Sequence, residues 1–261
     1  MASRELRTDI PHVARVYDAL LGGNTNFPVD RAAAEQILMH FPTAGAVAHA
    51  NRAFLTRTVS YLAAEHGIRQ FLDIGTGIPT SPNLHEVAQA VAPECRVVYA
   101  DNDPLVLAHA RALLHSTRQG RTAYLEADLQ DPATILGAPE VIGTLDLTRP
   151  VALSLLAILH FLPDSSDPYH LVATLVDALP PGSALTITHG TTDFLPEQGR
   201  RAGDVFNQRG IDTADRCHED ILRFFDGLEL VEPGVVTVTD WRPPGPDHEP
   251  TPLYGGIALK N

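Results

Sequence analysis

Residues 71–80 read FLDIGTGIPT: a short apolar run ends at Asp73 and Ile74, then breaks at Gly75 and Gly77. The run has the length and character of a buried strand, and NLHEVAQAVA, residues 83–92, has the spacing of a helix. A strand-to-helix corner therefore passes through two glycines. Glycine tolerates backbone angles that other residues resist, and it holds no side chain between the main chain and a ligand. The helix start beyond the corner presents free N–H groups. Two readings follow: a tight structural corner, or a main-chain surface on which a small molecule rests.

Downstream of this corner, strands and helices alternate. RVVYADND (96–103) reads as a strand ending in acids, and PLVLAHARALL (104–114) as a helix with Pro104 in its first turn. TAYLEAD (122–128) is a third strand ending in an acid. PVALSLLAILHFL (150–162) is a fourth strand running on into a loop or helix, HLVATLVDALPPG (170–182) a helix, and ALTITHGTTD (184–193) a fifth strand. Such alternation predicts a parallel sheet with helices on both faces. In the tail, TADRCHEDILRFFDGLELV (213–231) reads as a helix and a strand. VVTVTDW (235–241) and LYGGIALK (253–260) read as two strands joined by the Pro-rich loop PPGPDHEP (243–250), a hairpin at a sheet edge. The expected fold is α/β: a seven-stranded, mostly parallel sheet with one antiparallel member.

Upstream, the chain reads as helical as far as Gly67. ARVYDALLGG (14–23) stops at Gly22 and Gly23, and PVDRAAAEQILMHF (28–41) starts at Pro28 and Asp30. AVAHANRAFLTRTVSYLAAEHG (46–67) is a long amphipathic pattern that ends at Gly67. Residues 1–67 are expected to form a helical cap over the carboxyl ends of the strands, where open α/β sheets bind ligands. Residues 68–261 would form the sheet domain, the whole a single compact unit.

The chain has 261 residues, 44% of them hydrophobic, and a formal net charge of −13. An acidic chain disfavours a nucleic-acid backbone and an anionic membrane surface, since phosphate binding needs clustered Lys and Arg. Aromatic residues make up 6% of the chain, too few for a broad base-stacking platform. Cys95 and Cys217 stand far apart with no metal-ligand spacing, so no metal site and no disulfide framework is expected. A charged N-terminus and the lack of an apolar run of ~18 residues point to a cytoplasmic protein.

Glycine corners of this kind serve two cofactor classes. A dinucleotide site follows GxGxxG, but here Thr80 takes the third glycine's place and Pro79 offers no N–H to a pyrophosphate. The other class is an adenosine carrying a sulfonium amino acid, with no phosphate to cradle. Asp101, closing the second strand in YADND, can accept from both ribose hydroxyls; dinucleotide sites use an acid in the same way. Asp128, in EADLQD on the third strand, can accept from an adenine amine, with the Leu129 backbone meeting the ring. Each acid alone is also a natural loop or helix-capping residue. The three features in order on successive strands carry the reading.

Taken together, residues 70–193 resemble the class I S-adenosylmethionine-dependent methyltransferases, whose fold is Rossmann-like. LDIGTG resembles the first cofactor motif, ADND the second, EADL the third, and LLAILHFLPD the fourth-strand segment. PHVARVYDALLGGNTNFPVDRAAAEQI (11–37), DIGTGIPTSPNLHEVAQ (73–89) and LYGGIALK extend the likeness. They resemble an actinobacterial family of methyltransferase-like proteins long catalogued as a domain of unknown function. The resemblance implies S-adenosylmethionine as cofactor, held by Asp73, Gly75, Thr76, Gly77, Asp101, Asn102, Asp128 and Leu129. Tyr17, Gly23 and Asn24 would fold over it, with Asn24 or Arg15 on the methionine carboxylate. Asp73 would fix the loop or meet the cofactor's ammonium through water.

Methyl transfer asks mainly for positioning and desolvation, with a base only where the nucleophile carries a proton. His160 and His189, after the fourth and fifth strands, are the candidate catalytic residues. Each also suits a structural histidine at a sheet end. The expected activity is methylation of a small molecule, with specialised metabolism as a setting. The alternative is a cofactor-binding sensor or interaction protein without catalysis, which would have a filled pocket beside His160 and His189.

Overall fold

A computed structural model describes residues 7–243, 245 and 250–261. The Pro-rich loop at 243–250 thus lies largely outside the described residues. The sheet strands are β1 (Gln70–Ile74), β2 (Arg96–Asp101), β3 (Arg121–Glu126), β4 (Ala152–Leu156), β5 (Ala184–Gly190), β6 (Glu229–Leu230), β7 (Val236–Thr237) and β8 (Leu253–Leu259). Their order is β3-β2-β1-β4-β5-β8-β6, with β7 also paired to β8. Strands β1 to β5 are mutually parallel, and β8 runs antiparallel to its neighbours. The single reversed strand matches the sequence expectation. The hairpin of β7 and β8 lies beyond β5 at that end of the sheet, as expected, and β6 also pairs with β8 there.

The first strand of the tail hairpin shrinks to the short β7. Asp240 and Trp241 donate their amides back to the Thr237 carbonyl, and the Thr237 hydroxyl bonds the Asp240 carboxylate at 2.5 Å. That turn ends the strand. Trp241 is buried against Phe54, ring centroids 5.5 Å apart.

The sheet's period-2 alternation sorts side chains into two cores. Phe71, Val97, Tyr99 and Ala184 face a layer with α3 (Ala44–Ala64), α4 (Leu84–Val91) and α5 (Pro104–Leu113). Leu72, Val98, Leu153 and Leu185 face the opposite layer, with α6 (Pro132–Gly137), α7 (Pro139–Thr144) and α8 (Pro168–Asp177). Each fully buried Val, Leu or Phe among them contributes about 1.5–3 kcal/mol. Phe54, Val59 and Leu62 of α3 belong to the same core as Phe71, so residues on either side of position 67 share one interior.

The remaining helices roof the carboxyl ends of the strands. Helix α1 (Val13–Leu20) packs on α2 (Pro28–His40), and α2 packs on α9 (Pro196–Asn207), which follows β5. Val16, Ala33, Ile37 and Val205 form a small core of their own there. Helix α1 is tied to the sheet through Asp103, which also caps α5 by accepting from the Leu105 amide at 2.9 Å. His12 and Arg15 approach its other oxygen at 3.3 and 3.4 Å. The short α10 (His218–Leu222) contributes Ile221 to the core that contains Leu72 and Leu153.

Candidate functional site

Beneath this roof lies a cavity of about 1010 Å³. It joins the ends of β1, β2 and β3 to those of β4 and β5, and α1, α2, α3 and α9 all contribute to its wall. Among the sequence-predicted residues, Tyr17, Asp73, Gly75, Thr76, Gly77, Asp101, Asn102, Asp128, Leu129 and His160 line it. Gly23, Asn24 and His189 do not.

The glycine corner folds back on β2. The Gly75 and Thr76 amides both donate to the Ala100 carbonyl, at 2.8 and 3.3 Å, and the Gly77 amide donates to Asp101 Oδ2 at 2.9 Å. Both Gly75 and Gly77 have positive φ, in the left-handed region that favours glycine. They are glycines for different further reasons. A Cβ on Gly75 would come within 2.2 Å of Ile158 Cδ1, so its bareness admits a neighbouring side chain. A Cβ on Gly77 would meet nothing within 4 Å. The Thr76 and Thr80 hydroxyls donate to main-chain carbonyls. With three successive amides spent on β2, this corner has no nest of N–H groups for a pyrophosphate.

Asp101 is 5% exposed, and its second oxygen accepts from the Asp103 amide at 2.9 Å. Burial pushes its carboxyl above the usual range, while the two amide bonds pull the other way. Each oxygen holds one amide and keeps a lone pair free. Asn102, just past β2, donates Nδ2–H to Oδ2 of Asp128, just past β3, at 3.2 Å, and Asp128 Oδ1 accepts from the Gln130 amide. The two strand-end acids therefore stand side by side. The Leu129 amide makes no hydrogen bond among the described residues.

Asp73 is 6% exposed and has no ion pair within 4 Å among the described residues. Burial raises its carboxyl to about 7, partly offset by the field of Arg52. A positive charge brought beside so buried a carboxyl would favour its ionised form. Arg52 itself lines the cavity and donates to the Thr80 and Pro82 carbonyls at 2.7 and 2.5 Å, holding the far side of the corner. Sequence reasoning missed Arg52, because nothing about a lone arginine in a long helix marks it as facing a loop. Tyr17 donates to the Ala48 carbonyl and accepts from Asn51 Nδ2, both at 3.0 Å. Asn51 Oδ1 in turn accepts from the Thr188 hydroxyl at 2.8 Å, linking roof to sheet.

Several expectations need correction. Gly23 and Asn24 sit outside the cavity wall. The Asp18 carboxylate accepts from the Thr25 amide and from Asn26, at 2.9 and 2.7 Å. A Cβ on Gly23 would lie 2.1 Å from Asp18 Oδ1, so the glycine makes room for this loop clasp. Arg15 is committed to Asp103 and Asp30, with bonds to two carbonyls. His189 is fully buried behind the wall. Its Nδ1–H donates to the Gly190 carbonyl at 2.6 Å, and Nε2 accepts from Arg216 Nη1 at 3.1 Å. Both ring nitrogens are used, and burial holds its pKa well below the ordinary value. The ring is neutral and has no nitrogen left to offer a substrate.

His160 does face the cavity. Its Nδ1 accepts the Gly190 amide at 3.5 Å, which assigns the proton to Nε2, and Nε2 has no partner among the described residues. Burial and the Arg216 guanidinium lower its pKa to about 4. It is a neutral hydrogen-bond donor near neutral pH. Helix α9, with Phe206, is the largest part of the wall that sequence reasoning left unread. Its sole cues are Pro196 at the first turn and Ala202, Val205 and Phe206 at helical spacing in an otherwise polar stretch.

An α/β sheet of this order, with a glycine corner and paired strand-end acids on one cavity, defines a class I methyltransferase fold. A family model described as S-adenosyl methyltransferase matches residues 1–261, and the chain belongs to that family. A DUF574 family protein from Streptomyces avermitilis is 48% identical, with a TM-score of 0.95, over 98% of this chain and 100% of its own. A candidate methyltransferase from Thermobifida fusca is 41% identical, with a TM-score of 0.90, over 100% of this chain and 99% of its own. A methyltransferase from Anabaena variabilis, 16% identical over 77% of this chain and 80% of its own, shares the fold with a TM-score of 0.51. None of the curated proteins matches the chain. The family assignment makes S-adenosylmethionine the cofactor and agrees with the resemblance read from the sequence. Among the described residues, no helix is long and apolar enough to cross a membrane.

Proposed function

We propose that this chain is a cytoplasmic enzyme that methylates a small molecule, such as those of specialised metabolism, using S-adenosylmethionine. The observation that carries the reading is the single cavity shared by two sets of strand ends. One set bears Asp73, Asp101, Asp128 and the unused Leu129 amide; the other bears His160. When bound, S-adenosylmethionine supplies a sulfonium-activated methyl group.

The residues present fit that molecule. The buried, unpaired Asp73 carboxylate suits its ammonium, and the free lone pairs of Asp101 suit a ribose diol. Asp128 and the Leu129 amide offer an acceptor and a donor side by side, as an adenine edge requires. His160 Nε2–H can orient an acceptor atom by donating to it. It cannot take a proton there without first exchanging its tautomer, so we assign it to positioning. The roof of α1, α2 and α9 covers part of the cavity and so limits the access of water to the reacting atoms.

The open space beside His160 favours transfer over the non-catalytic reading, which needs that space filled. The net charge of −13 favours a small acceptor over a nucleic acid. Calorimetric titration with S-adenosylmethionine, S-adenosylhomocysteine and NADH tests the reading. The first two are expected to bind and NADH is not. Asp101→Ala is expected to weaken S-adenosylhomocysteine by about 1.5–3 kcal/mol. NADH binding alone, or an unchanged affinity in the variant, would refute it.

A further inference from the structure

We propose that the methyl acceptor is an aromatic, largely apolar molecule whose ring is seated against Phe161 and Phe206. This rests on the reading of the cavity as a methyltransferase site and specifies its second ligand. The two strand sets line different kinds of wall. Along β1 to β3 the lining is polar, as above. Away from it, the lining includes Leu20, Ile37, Phe41, Phe161, Phe206 and Ile211, drawn from α1, α2, α9 and the loops after β4 and α9.

Ligand pockets commonly run from ~300 to ~1,000 Å³. At about 1010 Å³ the cavity has room for a second molecule beside the cofactor. Phe161 and Phe206 lie edge to face, centroids 5.2 Å apart and planes at 75°. Both are only partly buried and both line the cavity. An edge-to-face pair leaves further ring surface for a flat guest, which can extend the same aromatic packing.

Several polar side chains of this wall are occupied, while Arg200 and Asp204, both exposed, have no side-chain partner among the described residues. Asp215 accepts from the Thr192 amide and hydroxyl, Arg201 pairs with Glu197, and Arg209 bonds Gln36 and the Val205 carbonyl. Deeper in, both Arg216 Nη groups are taken by two carbonyls, His189 and Asp164, while its buried Nε–H has no partner among the described residues. Apart from the exposed Arg200, the donor left over on this wall is His160 Nε2–H, whose ring packs on Phe161 with centroids 4.4 Å apart. A guest recognised here therefore presents a ring to the phenylalanines and one hydrogen-bond acceptor to His160.

The test uses 2-naphthol as a fluorescent probe, titrated into the full-length protein saturated with S-adenosylhomocysteine. Decahydro-2-naphthol, the same skeleton without aromaticity, is measured by competition. 2-Naphthol is expected to bind at least tenfold more tightly than the saturated analogue. Phe161→Leu and Phe206→Leu, which keep apolar bulk without a ring, are each expected to weaken it at least tenfold. S-Adenosylhomocysteine affinity should stay within twofold in both variants, which also reports that they are folded. Equal binding of the two probes, no 2-naphthol binding, or no effect of either substitution would overturn the proposal while leaving the methyltransferase reading intact. Failure of S-adenosylhomocysteine to bind the unmodified protein would instead remove that reading, and this proposal with it.

Discussion

At the β1–β3 end of the cavity, Asp73 is buried without an ion pair, and Asp101 and Asp128 use main-chain amides but keep lone pairs. At the β4–β5 end, His189 and Arg216 spend nearly all their hydrogen-bonding capacity on one another and on carbonyls. Buried polar groups are costly in either place. One end leaves that cost for a ligand to offset, and the other settles it internally to hold a wall in shape. Polar residues at the first end should therefore report on ligand affinity, and those at the second on stability.

The largest expected effect is at Arg216, 3% exposed and bonded to the Leu159 and Leu162 carbonyls that shape the loop bearing His160. Arg216→Met keeps the stem but strands two carbonyls and His189 Nε2. A loss of about 3 kcal/mol follows, or roughly 6–12 °C in Tm for a chain of this size. S-Adenosylhomocysteine affinity, measured well below that Tm, should stay within twofold. If the affinity fell with the stability, the division between the two ends would be broken.

Asp73 supplies the complementary test. Burial raises its folded value from 3.8 to about 7. Between those values the folded chain holds a proton that the unfolded chain has released, so this group's effect on stability worsens as pH rises through the window. A bound ammonium favours the ionised form and must displace that proton. S-Adenosylhomocysteine affinity should therefore rise with pH from 5.5 toward 7, approaching tenfold per pH unit, about 1.4 kcal/mol. Calorimetry near pH 6 in buffers of different ionisation enthalpy should register close to one proton released. Asp73→Asn should flatten that slope. A slope that survives in the variant would locate the titration elsewhere and remove Asp73 from the ligand's surroundings.

The same contrast explains how much the sequence discloses. In an alternating α/β chain, topology alone places successive strand ends together, so Gly77, Asp101 and Asp128 can be grouped from their order. The second end has no such rule. Helix α9 carries too few apolar residues to stand out, and Phe206 meets the distant Phe161 only through the roof packing of α2 on α9. His160 lies beyond the end of β4 and His189 near the end of the adjacent β5. What separates a cavity donor from a wall residue is Arg216, and no spacing in the sequence announces that contact.

The smallest expected effect concerns the segment whose sequence looks most ligand-like. Two glycines and an asparagine after a helix are unfavourable to keep in a mere connector, which makes Asn24 a candidate for the methionine carboxylate. In the fold that disfavoured stretch has a local use: Gly23 leaves space for the Asp18 carboxylate, which gathers the Thr25 amide and Asn26. Asn24 is exposed and outside the cavity wall. Asn24→Ala should change stability by less than about 0.5 kcal/mol and leave S-adenosylhomocysteine affinity within twofold. Gly23→Ala, which drives a methyl group into Asp18, should cost about 1–3 kcal/mol with the ligand affinity again little changed. A tenfold loss of affinity in Asn24→Ala would mean that this loop turns inward when the ligand binds, and the β1–β3 end would then gain a contact from the roof.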